Sequence, residues 1–252
     1  MRFTALREWI SPGLALVGLL ALWEVAARVT HSATPAPTQI LRSLVSDPRF
    51  YLENAGFTMI EAVGGLVIAI VIAYLTASLF ALWAPVRRAF FPLVIASQTI
   101  PLVAVAPVLA TLIGEGLFSR IFITSWLCWF PLVVSATHGL LHVEPEHYAL
   151  FSTYGASRSD VFWKLRVPNC TGTVLAGMRA AAGFAFIGAI VVEYSGATKG
   201  LGAFLIGQAR HPTDPVRVFG VVVVCALCGL LLTQTSHGIV RHLLHRYLPA
   251  ER

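Results

Sequence analysis

Residues 143–168 read VEPEHYALFSTYGASRSDVFWKLRVP, the longest polar interval between two strongly apolar regions of the chain. Its local grammar is specific. Pro145 suits the first turn of a helix, where a missing N–H costs nothing, and Glu146 sits where the helix dipole favours an acid. Gly155 is the residue type for a left-handed helix end. Ser157, with Asp160 three residues on, forms a loose capping box for a second helix. Val161, Phe162 and Leu165 give that helix an apolar face, and Pro168 is expected to close it. The stretch predicts a helix, a glycine break, a second helix and a proline stop. Such a wedge between membrane spans offers a surface for a partner to press against.

The flanking composition makes the spans. Of 252 residues, 57% are hydrophobic and only 12% are charged; the mean hydropathy is +0.76. Soluble domains carry about 25% charged residues, so the chain is read as an integral membrane protein. A net charge of +6 in such a protein marks cytoplasmic loops rather than a nucleic-acid partner. Cys225 and Cys228 have CxxC spacing but lie in an apolar helical run with no His or acid beside them. With Cys128 and Cys170 they are read as small apolar fillers. The first 27 residues run long enough to span and lack a small-residue cleavage site, so they are read as an uncleaved first helix.

Six spans are expected, at about 9–27, 59–83, 89–113, 117–141, 172–192 and 216–239, within one membrane domain over 1–252. Thr34-Pro-Ala-Pro37 breaks the chain before an amphipathic helix at 38–52, with Ile40, Leu41, Leu44 and Val45 at helical spacing. Trp9 and Trp23 suit interfacial or packing roles, and His31 opens a polar segment. Glu61 is placed near the start of span two, still wet. Span three carries Pro92, Pro101, Pro107 and Ser97-Gln98-Thr99, so it cannot run straight. Broken backbone at membrane depth either lines a cavity or packs as a kink. Pro212, Asp214 and Pro215 form a polar break. Arg2, Arg7, Arg87, Arg88, Arg158, Lys164, Arg166, Arg179, Arg241, Arg246 and Arg252 fall on one side, and seven other basic residues on the other. The larger set belongs to the cytoplasm, which puts both termini and the wedge there.

No phosphate loop, HExxH, GxSxG or Cys/His metal spacing is present. The chain is therefore not expected to hydrolyse ATP, act as an enzyme or bind a metal. His242 and His245 beside Arg241 read as a solvated basic face. Gln98, Thr99 and Ser135 are the polar candidates for lining a path. Glu193 is an acid that a span could bury; it either caps the glycine-rich turn after it or serves at a gate.

These residues resemble the membrane subunits of ABC importers. Counting from Gly155, nine residues reach Lys164; Leu165, Val167 and Pro168 then match the I-x-L-P end of the family's signature loop, and Gly155-Ala156-Ser157-Arg158 matches its GAS-plus-basic continuation. Ala149, Leu150 and Phe151 stand where the family has E-A-A, so its acid is missing. Pro35-Ala-Pro37, the span Gln98-Thr-Ile-Pro-Leu-Val-Ala-Val-Ala-Pro107, and Glu193 with Gly200-Leu-Gly202 resemble the nitrate/sulfonate/taurine branch, and the likeness covers almost the whole chain. The resemblance implies an all-α MetI-like permease fold in a bacterial inner membrane. It implies a homodimer, two cytoplasmic ATPase subunits that use ATP and Mg, and an extracytoplasmic solute-binding protein. No cofactor is implied for this chain. The wedge would be the coupling helix, with Tyr154, Gly155, Ala156, Ser157, Arg158, Asp160, Phe162, Trp163 and Pro168 as coupling residues. The solute would be a small anion or a vitamin-related heterocycle. The rival reading, a secondary transporter without an ATPase, expects an inverted repeat and ionisable groups in mid-span.

Overall fold

The computed structural model describes residues 2–29, 34–211 and 213–244, and every regular element among them is helical. In order these are α1 (Arg2–Val29), α2 (Pro37–Ser46), α3 (Pro48–Leu82), α4 (Ala84–Ser97), α5 (Leu102–Ile113), α6 (Leu117–Leu141) and α7 (Pro145–Thr153). Then come α8 (Arg158–Asp160), a π-helical segment (Val161–Arg166), α9 (Val167–Asn169), α10 (Thr171–Glu193), α11 (Leu201–Arg210) and α12 (Pro215–Leu244). Expectations for the side chains of Arg2, Arg7, Trp9, His31, Pro212, His245, Arg246 and Arg252 fall outside what is described.

Among the described residues four helices are long and apolar enough to cross a membrane: Pro48–Leu82, Leu117–Leu141, Thr171–Glu193 and the Pro215–His242 stretch of α12. The 28-residue α1 also has spanning length. The expected third span is two short helices, α4 and α5, broken at residues 98–101.

Two boundaries differ from expectation. The amphipathic helix of 38–52 ends at Ser46, and its last residues belong to α3. Asp47 is the cause: its side chain accepts from the Phe50 N–H at 3.4 Å, and Pro48 follows at the first helical position. Span two therefore begins at Pro48, and Glu61 lies more than three turns inside it. On α2, Ile40 turns inward while Leu41 and Val45 are exposed.

Helices α3, α6 and α10 form the core, each packed on the other two. Water cannot drive association between helices already in lipid, so close backbone approach must supply the contact. The sequence provides it with small residues. Ala62, Ala69, Ala73 and Ala77 make a buried stripe on α3, and Ala181, Ala182, Ala185 and Ala189 make another on α10. A Cβ on Gly65 would lie 2.6 Å from the Thr124 methyl, and one on Gly177 would lie 2.6 Å from the Ser135 side chain. Outside this trio α12 packs on α10. Its Leu227, Leu230 and Leu231 remain exposed, as a lipid-facing surface requires. Arg217 at its start pairs with Asp47 (3.0 Å) and Asp214 (3.3 Å), tying it to the α2–α3 elbow.

Candidate functional site

The wedge folds as its local sequence dictates, up to its end. Helix α7 closes with the Gly155 N–H on the Ser152 carbonyl (3.0 Å) and the Ala156 N–H on the Phe151 carbonyl (3.0 Å). Gly155 takes φ +65°, the left-handed conformation such a pair of bonds requires. Ser157 and Asp160 form the capping box: the Asp160 N–H donates to Ser157 Oγ (3.2 Å), and the Ser157 N–H donates to Asp160 Oδ2 (3.3 Å). Lys164 bonds the same carboxylate at 2.6 Å. Lys164 first, then Ser157, hold the Asp160 carboxyl down at about 2.

Pro168 does not end the second helix. The Val167 N–H bonds the Phe162 carbonyl, five residues back, so the turn before the proline is widened to π geometry. A proline ring inside an α-helix collides with the carbonyl four residues back and removes one donor; the wider turn gives the ring room. The chain then continues through α9 into α10, and the Val174 N–H bonds the Cys170 carbonyl at 2.9 Å. The second half of the wedge is thus a helical extension of a core span, and a push on it reaches α10 without a hinge loop.

The wedge has an inner and an outer surface. Phe162, expected as a docking anchor, is 6% exposed and packs with Ala77, Ala136, Leu140 and Cys170. It fastens the wedge to the bundle, because the π turn points Phe162 and Leu165 toward the core. Arg166 donates to the Tyr148 hydroxyl (2.7 Å) and to the Ala81 carbonyl (2.9 Å). Asn169 donates to the Gly139 and His142 carbonyls (3.2 and 2.9 Å). Both halves are therefore held without an acid at position 149. Tyr154 (82% exposed) and Trp163 (60%) face outward, and Arg158 is exposed beside the capping box. Leu150 is exposed as well. Sequence reasoning passed over it, although it lies one helical turn before Tyr154, which follows the end of α7.

At mid-depth the α4–α5 break opens a cavity of about 310 Å³ against α6 and α10. Its aromatic wall is Phe122, Trp126, Phe130 and Phe184, and its polar edge is Ser97 and Gln98. Of the three polar path candidates only Gln98 lies there. The Thr99 hydroxyl is bonded to the Ala96 carbonyl (2.8 Å), and Ser135 packs on Gly177.

Glu193 is at the opposite end of the bundle from the wedge, where the start of α3 meets the end of α10. Its Oε1 accepts from Thr58 Oγ1 (2.6 Å), and its Oε2 accepts from the Gly202 N–H (2.6 Å). The Leu201 N–H donates to Thr58 Oγ1 (2.9 Å), and the Gly200 N–H donates to Asn54 Oδ1 (3.0 Å). Glu193 thus caps the first turn of α11. It is fully buried and absent from the cavity wall. Glu61, one turn along α3 from Thr58, is also fully buried and pairs with Arg120 Nε at 2.6 Å. The expectation that Glu61 stays wet fails because the long α3 carries it into the bundle. A partner 59 residues away in sequence gave no local signal.

Residues 65–248 match the model of a family described as binding-protein-dependent transport system inner membrane component. A formylaminopyrimidine transport permease of Halalkalibacterium halodurans is 33% identical over 226 residues, 88% of this chain and 90% of the relative. A riboflavin transport permease of Chloroflexus aurantiacus is 29% identical, over 95% of this chain and 91% of its own. A taurine transport permease of Escherichia coli is 24% identical, over 88% and 84%.

Proposed function

Because this chain belongs to the family of binding-protein-dependent transport system inner membrane components, we propose that it forms the translocation path of an ABC importer and takes its energy from separate ATPase subunits. The observation that carries this reading is the wedge. It presents Leu150, Tyr154, Arg158 and Trp163 outward on a support fixed to three core helices. Exposed aromatic anchors on a rigid base are the usual hot spots of an interface. The chain has no phosphate loop of its own, so the work must enter through such a surface.

In the proposed cycle two copies of the chain pair, and each wedge seats in one cytoplasmic ATPase subunit. ATP binding with Mg closes the ATPase dimer and moves the wedges together. Because α8, the π segment and α9 run on into α10, that movement rotates a core span, and the bundle opens outward to receive solute from a binding protein. Hydrolysis resets it. The excess of basic residues at the wedge end supports the reading that this end and both termini lie on the cytoplasmic side of a bacterial inner membrane. The solute is small, drawn from the classes that relatives named for taurine, riboflavin and formylaminopyrimidine handle. Co-expression with a candidate ABC ATPase subunit tests the reading. The wild type should co-purify with that subunit, and Arg158→Glu and Gly155→Pro should not, with the spans still inserted. Uptake in ATP-free, de-energised vesicles would overturn it.

A further inference from the structure

The mid-depth cavity has a chemistry that the permease reading does not specify, and the inference below rests on that reading. Four aromatic rings, Phe122, Trp126, Phe130 and Phe184, form its wall, and no lining side chain is charged. Two prolines add to its polarity. In a helix the Ser97 carbonyl would be served by the N–H of residue 101, and the Leu127 carbonyl by that of residue 131. Both positions are proline, which has no N–H to give. Ser97 and Leu127 both line the cavity, so two backbone acceptors at membrane depth lack their helical donors. The Gln98 side chain adds an amide at the same rim.

We propose that this cavity is a binding station for a planar, uncharged heteroaromatic solute bearing N–H donors, such as an amino-substituted ring, and that it rejects sulfonates and inorganic anions. Ring faces stack on aromatic walls, and donor groups on the ring edge meet the acceptors that the prolines release. An anion finds the reverse. Carbonyl oxygens and the negative faces of aromatic rings repel it, and among the described lining residues none is a cation that could offset its lost hydration. Arg120 cannot serve, being bound to Glu61 at the end of the bundle. The volume of about 310 Å³ suits one or two fused rings. A second copy of the chain pressing an apolar helix into the cavity would leave both carbonyls without donors.

The test uses the full-length chain in lipid nanodiscs, titrated with 4-aminopyrimidine, benzenesulfonate and ethanesulfonate while tryptophan fluorescence is read. Trp126→Phe identifies the signal from the cavity. 4-Aminopyrimidine should quench saturably, with benzenesulfonate at least about tenfold weaker and ethanesulfonate silent. Phe184→Ala and Gln98→Ala should each weaken 4-aminopyrimidine about three- to tenfold. Benzenesulfonate binding as tightly, no saturable response to 4-aminopyrimidine, or unchanged affinity in both variants would overturn the proposal. Co-purification of the ATPase subunit is read separately on the same preparations, so a failed solute class and a failed permease assignment are told apart.

Discussion

Replacing Gly200 with alanine attacks the Glu193 cradle at its tightest point. Gly200 sits at φ +122° and ψ 163°, a region that is essentially glycine-only and costs other residues about 1–3 kcal/mol. The added methyl would also run into the Glu193 carboxylate, its nearest neighbour. To make room, that carboxylate must leave Thr58 and the Gly202 N–H, both now at 2.6 Å. Hydrogen bonds to a charged group contribute about 1.5–3 kcal/mol each, and the acid is buried, so water does not replace them. The expected loss is on the order of 4–9 kcal/mol, a large share of the ~5–15 kcal/mol that holds a typical protein folded. At about 2–4 °C per kcal/mol for a chain of this size, the midpoint in detergent should fall by roughly 10 °C or more. Heating followed by fluorescence-detected size exclusion reads it. Gly183→Ala on α10 is the control, since a Cβ there meets nothing within 4 Å; alanine is about 1 kcal/mol better than glycine inside a helix, so the midpoint should stay or rise by up to about 4 °C. Equal midpoints for the two variants would refute the capping role of Glu193.

Other outcomes follow from the same contacts. Arg120→Ala strands the fully buried Glu61 and should destabilise by about 3–5 kcal/mol, whereas Glu61→Leu with Arg120→Leu should recover much of it in the same thermal assay. Phe162→Ala should cost about 3–5 kcal/mol by opening a hole under the wedge, while Trp163→Ala and Tyr154→Ala should leave the melting midpoint in place and lose ATPase association. Ser157→Ala removes a helix cap worth about 1 kcal/mol, so hydrogen exchange at Asp160 to Phe162 should speed up about fivefold. Asp160 titrates at about 2, against 3.8 for the free side chain. Its depressed folded value means its contribution is complete above 3.8 and is lost as pH falls toward 2. Exchange protection of the wedge, corrected for intrinsic rates, should therefore be flat at neutral pH and fall only below about 4, and Asp160→Asn should be flat throughout.

What could be read in advance was local. Gly155 and the Ser157/Asp160 spacing specify the break and the second cap, because each device closes within five residues. The broken third span was legible for the same reason: prolines act on their own helix. Pro168 misled because its effect depends on the hydrogen-bond register before it, and a π turn absorbs a ring that a regular α turn cannot. The inward aim of Phe162 and the outward aim of Trp163 follow from that register as well. The Glu61–Arg120 and Glu193–Thr58 contacts join residues 59 and 135 apart, and only tertiary packing brings them together. The pairing of α3, α6 and α10 rests on the buried alanine stripes of α3 and α10 and on the close approach of Gly65 and Gly177 to α6, which only the folded chain displays.

The central claim, that the wedge receives work from another chain, is tested most directly by reconstituting this protein in vesicles with the ATPase subunit that co-purifies with it and a candidate solute-binding protein. The measurement is ATP-dependent uptake by wild type and by Trp163→Ala, with the latter's folding verified by its unchanged melting midpoint. The account predicts ATP-dependent uptake by the wild type and its loss in the variant, together with loss of ATPase association. Full uptake by the variant, or wild-type uptake without ATP, would contradict it.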